Sequence, residues 1–239
     1  MGPEEWEGAA DELLEVTGVT APVDVLVLAA ECGLLVRSSA RAGASIDLER
    51  GVIDVEARAR PERQQGLVAH ELGHFVLRRH GLPQGERAAT YIGGCLRLPR
   101  RELSRDLART AWSIAALREL HPNASATAIA VRITQLRPAV VALFDPIGRL
   151  RPWRVASESV PRELARAPTP LEHELAIAAW VEQREVRRGL CVATPLPDPE
   201  RGEPRVLVVC DAEGLGGGDR HQHARDKWPD ASVDRLVEA

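Results

Sequence analysis

The amino-acid sequence predicts an α+β protein whose strands and helices are grouped along the chain rather than alternating. Short runs rich in β-branched residues come early, within residues 34–55, and a helical pattern then extends from about residue 60 to residue 136. After Pro138 the pattern changes to strand-like runs, one helix and further apolar runs. With 239 residues, 44% of them hydrophobic, the chain is long enough for one large or two small globular domains.

The first part of the chain predicts two helices and a small sheet. Amphipathic helices are expected near residues 4–16 and 22–33, the second with Pro22 near its start and Gly33 at its end. Three short β-rich runs follow, separated by small and turn-forming residues, at 34–37, 45–48 and 51–55. We expect these runs to form a small antiparallel sheet.

The middle of the chain predicts a long helix followed by a helical bundle. The long helix begins at Arg60-Pro61 and ends at Gly81, with Pro83 as a stop signal just beyond. The later elements are helices at 86–97, 101–120 and 125–136, strands at 139–144 and 150–156, a helix at 170–188, and apolar runs at 189–193 and 205–210. We expect the elements after residue 146 to form a small α+β C-terminal region.

Charge is distributed unevenly along the chain, whose formal net charge is −4. Residues 97–166 contain 13 arginines and six acidic residues, and so form a basic block of +7 between acidic flanks. This block is interpreted either as a solvated, arginine-rich helical surface or as a docking face for an acidic partner or nucleic acid. The mean charge itself does not indicate nucleic-acid binding through bulk electrostatics.

Targeting and cysteine patterns favour a cytoplasmic protein. The acidic opening segment lacks the basic and apolar regions of a secretory signal, and no apolar run approaches the roughly 18 residues that span a bilayer. The four cysteines are far apart and contain no C-x-x-C pair; they are Cys32, Cys95, Cys191 and Cys210. We therefore expect reduced, mostly buried thiols rather than a disulfide framework.

The predicted long helix contains the motif His70-Glu71-Leu72-Gly73-His74, an H-E-x-x-H sequence. Because His70 and His74 are one helical turn apart, both imidazoles project from one face and can hold one zinc ion. Glu71 beside them is the expected base for a water activated by the metal. The apolar residues around this helix predict an interior position, so the alternative interpretation is a pair of buried histidines satisfied without metal.

A catalytic zinc site needs a third protein ligand and an open position, and Glu86 is the best candidate for that ligand. The chain reverses after Gly81, and Glu86 opens the next helix, which can lie back across the two histidines. Gly93 and Gly94 each cost that helix about 1 kcal/mol relative to alanine. Close approach of the two helix backbones would explain both glycines.

Two segments around these residues have a distinctive pattern. The first is Ala69-His70-Glu71-Leu72-Gly73-His74, and the second runs from Glu86 to Pro99, thirteen residues later. They resemble the ImmA/IrrE family of bacterial and phage metallopeptidases, in which an A-H-E-[LI]-G-H helix precedes a segment like E-x-E-A-N-x-F-A-A-E-L-L-M-P. The likeness covers about residues 20–146, and the chain departs from the family pattern at Ala88, Thr90, Gly93, Gly94 and Arg97.

The residue patterns, together with the resemblance over residues 20–146, lead us to expect three structural parts. They are a zincin-like catalytic domain at 1–100, with the H-E-x-x-H helix and the small antiparallel sheet, a helical part resembling a helix-turn-helix at 101–146 packed on it, and a small α+β region at 147–239. The role of the last part is unknown. An edge of the small sheet, at strand 51–55 or a neighbour, would hold an extended substrate strand.

The resemblance also implies the chemistry, that of a zinc metallo-endopeptidase of the gluzincin-like type. Zn²⁺, with Mn²⁺ as an alternative activating metal, would be bound by His70, His74 and Glu86, and Glu71 would act as base. The implied substrate is a helix-turn-helix transcriptional repressor, whose cleavage would release phage, mobile-element or DNA-damage-response genes.

A regulator that binds DNA or a partner protein is the alternative function. It would use the basic helical block 97–166, and its metal would be structural. Against it, an H-E-x-x-H site with three protein ligands leaves an open position, which structural zinc sites rarely have.

Overall fold

The structure is a computed structural model that describes residues 2–145, 152–197, 204–212 and 215. The chain divides into two compact units, Met1–Leu136 and Arg137–Ala239. The division falls ten residues before the predicted boundary at 146/147, because strand 139–144 is hydrogen-bonded to strands of the C-terminal unit. Within the described residues, no helix is both long enough and apolar enough to cross a membrane.

The N-terminal unit begins with two helices and a three-stranded sheet. In chain order these elements are α1 (Pro3–Thr17), α2 (Val25–Glu31), β1 (Leu35–Ser39), β2 (Ala44–Asp47) and β3 (Val52–Glu56). Helix α1 ends at Gly18, whose φ of 70° suits glycine, and the Asp24 side chain caps α2 by accepting a hydrogen bond from the Leu26 amide. Their apolar faces enter a core that also contains Ile53 and Val55 of β3.

The sheet is mixed, so the predicted antiparallel arrangement is wrong for one of its two pairings. The strand order is β1-β3-β2, with β2 antiparallel to β3 and β1 parallel to β3. The chain passes from β1 to the far edge of the sheet before it returns as β3 between the other two strands. Strand β3, which corresponds to the predicted run 51–55, is therefore central, and β2 is an edge strand.

Helices α3 (Pro61–Arg79) and α4 (Glu86–Arg97) pack against each other at the centre of this unit. Their backbones touch at two glycines: a Cβ atom built on Gly73 would lie 2.2 Å from the Ala89 carbonyl oxygen, and one on Gly93 would lie 2.6 Å from that of Ala69. Close approach thus explains Gly93, as expected. It does not explain Gly94, where the nearest atom to an added Cβ is 3.9 Å away.

Three further helices complete the unit: α5 (Arg100–Thr110), α6 (Ile114–Leu120) and α7 (Ala126–Leu136). The single helix predicted at 101–120 is interrupted at Ala111 and Trp112, which both have positive φ, and Ser113 caps α6. Arg132 of α7 is 1% exposed and forms a buried ion pair with Glu7, so α1 is tied to α7. The predicted helix-turn-helix-like arrangement of this region stays a prediction.

The C-terminal unit is an antiparallel sheet with helices. Its elements are β4 (Ala139–Phe144), β5 (Trp153–Ala156), α8 (Arg162–Arg166), α9 (Pro170–Glu182), β6 (Val186–Arg188), β7 (Cys191–Leu196) and β8 (Arg205–Asp211), in the strand order β5-β4-β8-β7-β6. Helix α9 packs on β6, β7 and β8. The first two residues of the predicted strand 150–156 lie outside the described residues.

Two cysteines of this unit are paired. Cys191 and Cys210 lie directly opposite each other on β7 and β8 and form a disulfide. The prediction of four reduced thiols is therefore wrong for these two, because nothing in their spacing of 19 residues shows that the strands align them. Cys32 and Cys95 are free thiols.

Candidate metal centre

Helix α3 supplies the first three residues of the candidate site. Pro61 favours its start, and Val68, Leu72 and Val76 are fully buried along its inner side. His70 and His74 project from one face, as predicted, with ring centroids 4.9 Å apart. Their side chains are 28% and 18% exposed, so they are not buried inside the core as the apolar pattern of the helix had suggested.

Glu86, the first residue of α4, meets both histidines. Gly81, with a φ of 64°, follows the end of α3, and the short connection after it brings the start of α4 back to the histidine face. Glu86 Oε2 lies 3.1 Å from His70 Nε2, and Glu86 Oε1 lies 3.5 Å from His74 Nε2. Among the described residues, these three form the one group whose ligand atoms all lie within 4.8 Å of one another.

The spacing and chemistry of this group fit a divalent metal. Ligands placed tetrahedrally at 2.0–2.1 Å from zinc lie about 3.3 Å from one another, and the two nitrogen–oxygen distances at Glu86 lie on either side of that value. Two imidazoles and one carboxylate are also a known ligand set of catalytic zinc. Glu86 is 83% exposed, so the group opens to solvent, which leaves room for a water or a substrate.

Glu71 is the buried carboxylate of the motif, with 7% of the residue exposed. Burial raises the pKa of its carboxyl group, while the neighbouring charges of His70 and His74 oppose that rise. The backbone of Ile46, on the edge strand β2, lies near the Glu71 carboxylate and also opposes the rise in its pKa. Glu71 therefore lies between the histidine face of α3 and the edge of the sheet.

Two polar residues at the site were not expected to have a role there. Thr90 Oγ1 lies 3.1 Å from His70 Nδ1, and Gln84 Oε1 lies 3.3 Å from His74 Nδ1. Thr90 follows Glu86 by one helical turn, a spacing that places both on one face of α4. That spacing is the sequence signal that could have identified Thr90; Gln84 lies in a connection without a regular pattern and has no such signal.

Residues 29–134 match the family model described as the IrrE N-terminal-like domain, Peptidase_M78. This part of the chain belongs to the ImmA/IrrE family. The resemblance predicted from the H-E-x-x-H segment and Glu86 is thereby confirmed. ImmA/IrrE proteins of this type are peptidases and typically depend on a metal. The matched region contains α3, α4 and the candidate site but neither α1 nor the C-terminal unit.

The fold is also similar to a solved structure, a Mycobacterium tuberculosis transcriptional regulator. The TM-score is 0.62 and the sequence identity 17%, with 87% of this chain and 76% of that chain covered. At this identity the likeness shows the fold alone. Among curated proteins, none matches the sequence significantly.

Proposed function

We propose that the protein is a zinc-dependent endopeptidase that cleaves a helix-turn-helix transcriptional repressor. The observation that carries the proposal is the convergence of His70, His74 and Glu86 beside the buried Glu71. The three would bind Zn²⁺, with Mn²⁺ as an alternative activating metal. When bound, such a metal lowers the pKa of a coordinated water and polarises a carbonyl group.

Glu71 is the proposed catalytic base. Its carboxylate takes a proton from the attacking water while the water oxygen forms a bond to the carbonyl carbon of the scissile peptide. Glu71 then gives that proton to the amine nitrogen as the carbon–nitrogen bond breaks.

Strand β2 is the proposed binding edge for an extended substrate. The sequence suggested either strand 51–55, which is β3, or a neighbouring strand as the substrate edge. Because β3 lies between β1 and β2, it has no free edge, and the neighbouring edge strand β2 is favoured. The Ile46 backbone of β2 lies near the Glu71 carboxylate, so a peptide added along this edge would run past the proposed base.

Membership of the ImmA/IrrE family supports a regulatory protein as substrate. The similar solved structure is named a transcriptional regulator, which is consistent with a role in gene control. Cleavage of a repressor would release the genes that it silences, in a phage, a mobile element or a DNA-damage response.

The test is proteolysis of candidate helix-turn-helix repressors by the purified protein with Zn²⁺ or Mn²⁺, read by mass spectrometry of the products. We expect a single cleavage region in one repressor, no cleavage with a chelator, and no cleavage by Glu71→Gln although that variant still binds metal. Glu62→Gln, at the other end of α3, is the matched control and should cleave normally. Full cleavage by Glu71→Gln would remove Glu71 from the mechanism.

A DNA- or protein-binding regulator is the second candidate, and the exposed face of α5 favours it. Arg101, Arg105 and Arg109 are exposed and follow one another at intervals of four residues, so they share one side of the helix. However, Arg105 and Arg109 also pair with the buried Asp106, at 3.2 and 3.8 Å. Binding to duplex DNA that weakens steeply with salt and is unaffected by a chelator would favour this function over the peptidase.

A further inference from the structure

Each histidine of the candidate site has a ring nitrogen that the metal would not use. The Nε2 atoms of His70 and His74 face Glu86, at 3.1 and 3.5 Å. The Nδ1 atoms face away from it, towards Thr90 Oγ1 at 3.1 Å and Gln84 Oε1 at 3.3 Å. Both imidazoles are therefore held at both nitrogens by one short segment, residues 84–90.

Helix α4 alone contacts both ring nitrogens of His70. Glu86 and Thr90 are one turn apart, so the same face of one helix contacts both nitrogens of the His70 ring. The approach is possible because Gly73 and Gly93 allow the backbones of α3 and α4 to touch. Gln84 contacts His74 from the connection just ahead of α4, where a longer side chain can span the gap.

The chemistry of a neutral imidazole gives these contacts a consequence. One of its nitrogens carries a proton and the other carries the lone pair that can bind a metal. The amide oxygen of Gln84 can only accept a hydrogen bond, and the Thr90 hydroxyl can accept one. When Nε2 binds a metal, the proton of each neutral imidazole lies on Nδ1, where the Thr90 and Gln84 oxygens can accept it in a hydrogen bond.

We propose that Thr90 and Gln84 are positioning residues of the metal site. By accepting hydrogen bonds from Nδ1–H, they fix the tautomer and the orientation in which His70 and His74 present Nε2 to a divalent cation. This inference rests on the proposed function, because it concerns the same three ligands.

Zinc affinity of the purified, metal-stripped chain tests the proposal without relying on proteolysis. Thr90→Val keeps the shape of the exposed side chain and removes the acceptor, whereas Thr90→Ser keeps the hydroxyl. We expect Thr90→Val to raise the zinc Kd by roughly 10-fold or more, as is typical for partners of metal-binding histidines, and Thr90→Ser to restore affinity. Kd is measured by competition with a chromophoric chelator.

Two further variants complete the design. Thr110→Val is the matched control, because among the described residues the Thr110 hydroxyl bonds to backbone carbonyls of its own helix, α5. The zinc Kd of this variant should equal that of the wild type. Gln84→Met removes the acceptor of His74 from a position outside any helix, so it decides the question if Thr90→Val fails to fold. We expect the same roughly 10-fold rise in Kd for Gln84→Met.

The outcomes separate this inference from the proposed function. If Glu86→Ala loses zinc while Thr90→Val and Gln84→Met bind it as tightly as the wild type, the positioning roles are wrong and the metal site stands. If the wild type itself binds no zinc, the proposed function fails and this inference fails with it. A rise in Kd for Thr90→Val, restored by Thr90→Ser, supports the inference.

Discussion

Gly93 and Gly94 are neighbours in α4 but have opposite surroundings, so alanine substitutions at the two positions should have opposite effects. A Cβ atom at Gly93 would lie 2.6 Å from the Ala69 carbonyl oxygen and 3.1 Å from the His70 amide nitrogen. A Cβ atom at Gly94 would meet nothing closer than the Gln135 side-chain oxygen at 3.9 Å. The contact at Gly93 is with backbone, which has no rotamer through which to move away.

The magnitudes follow from these distances. Ordinary contact begins near 3.4 Å, so in Gly93→Ala the two helices must separate locally by about 0.8 Å. Overpacking of this kind costs about 1–3 kcal/mol, and the gain in helix propensity from glycine to alanine offsets up to about 1 kcal/mol. We expect Gly93→Ala to lower the free energy of unfolding by about 1–2 kcal/mol and Gly94→Ala to raise it by about 0.5–1 kcal/mol.

The assay follows the N-terminal unit separately from the C-terminal unit. Urea unfolding is read from hydrogen–deuterium exchange of peptides from α3 and α4, with the protein free of metal. Because the added methyl group presses on the backbone of Ala69 and His70, Gly93→Ala should also weaken zinc binding, whereas Gly94→Ala should not. A Gly93→Ala protein as stable as Gly94→Ala, with unchanged zinc affinity, would refute the argument from close helix packing.

Two further predictions concern buried ionisable groups. Glu7→Gln leaves the buried Arg132 guanidinium without its carboxylate partner and should lower the free energy of unfolding at pH 7 by about 3–5 kcal/mol. Burial raises the pKa of Glu7, but the nearby Arg132 outweighs burial and holds that pKa below its usual value near 4.5. The ion pair therefore contributes its full stability above about pH 4.5. Its contribution is lost as the pH falls through the lowered pKa that Glu7 has in the folded protein. Urea unfolding of the wild type should accordingly be more acid-sensitive than that of Glu7→Gln, and equal sensitivity would contradict this. Burial raises the pKa of the Cys95 thiol to about 12. Iodoacetamide should therefore label Cys32 but not Cys95 in the native protein, as read by mass spectrometry. Labelling of Cys95 before Cys32 would contradict the buried position of Cys95.

The residues of the candidate site could be predicted because their signals are local. The spacing of His70 and His74 depends only on the helical repeat, and Pro61 and Gly81 mark the ends of that helix. Glu86 could be found because the connection after Gly81 is too short to carry α4 elsewhere. The assignment of these residues as metal ligands and of Glu71 as base stays a prediction.

Other features could not be predicted because their signals are not local. A strand pattern shows which residues alternate but not the direction of the strand's neighbour, so the parallel pairing of β1 with β3 was missed. The break between α5 and α6 uses positive φ at Ala111 and Trp112, where neither glycine nor proline marks a turn. The Cys191–Cys210 pair depends on the register of β7 against β8, which the sequence does not display.

The zinc content of Glu86→Ala, compared with that of the wild type, tests the central claim most directly. Each protein is loaded with zinc, dialysed against metal-free buffer and analysed by elemental mass spectrometry, with Glu71→Gln as the variant that should keep its metal. We predict equimolar zinc in the wild type and in Glu71→Gln, and its loss from Glu86→Ala. Full zinc occupancy in Glu86→Ala would contradict a site built from His70, His74 and Glu86.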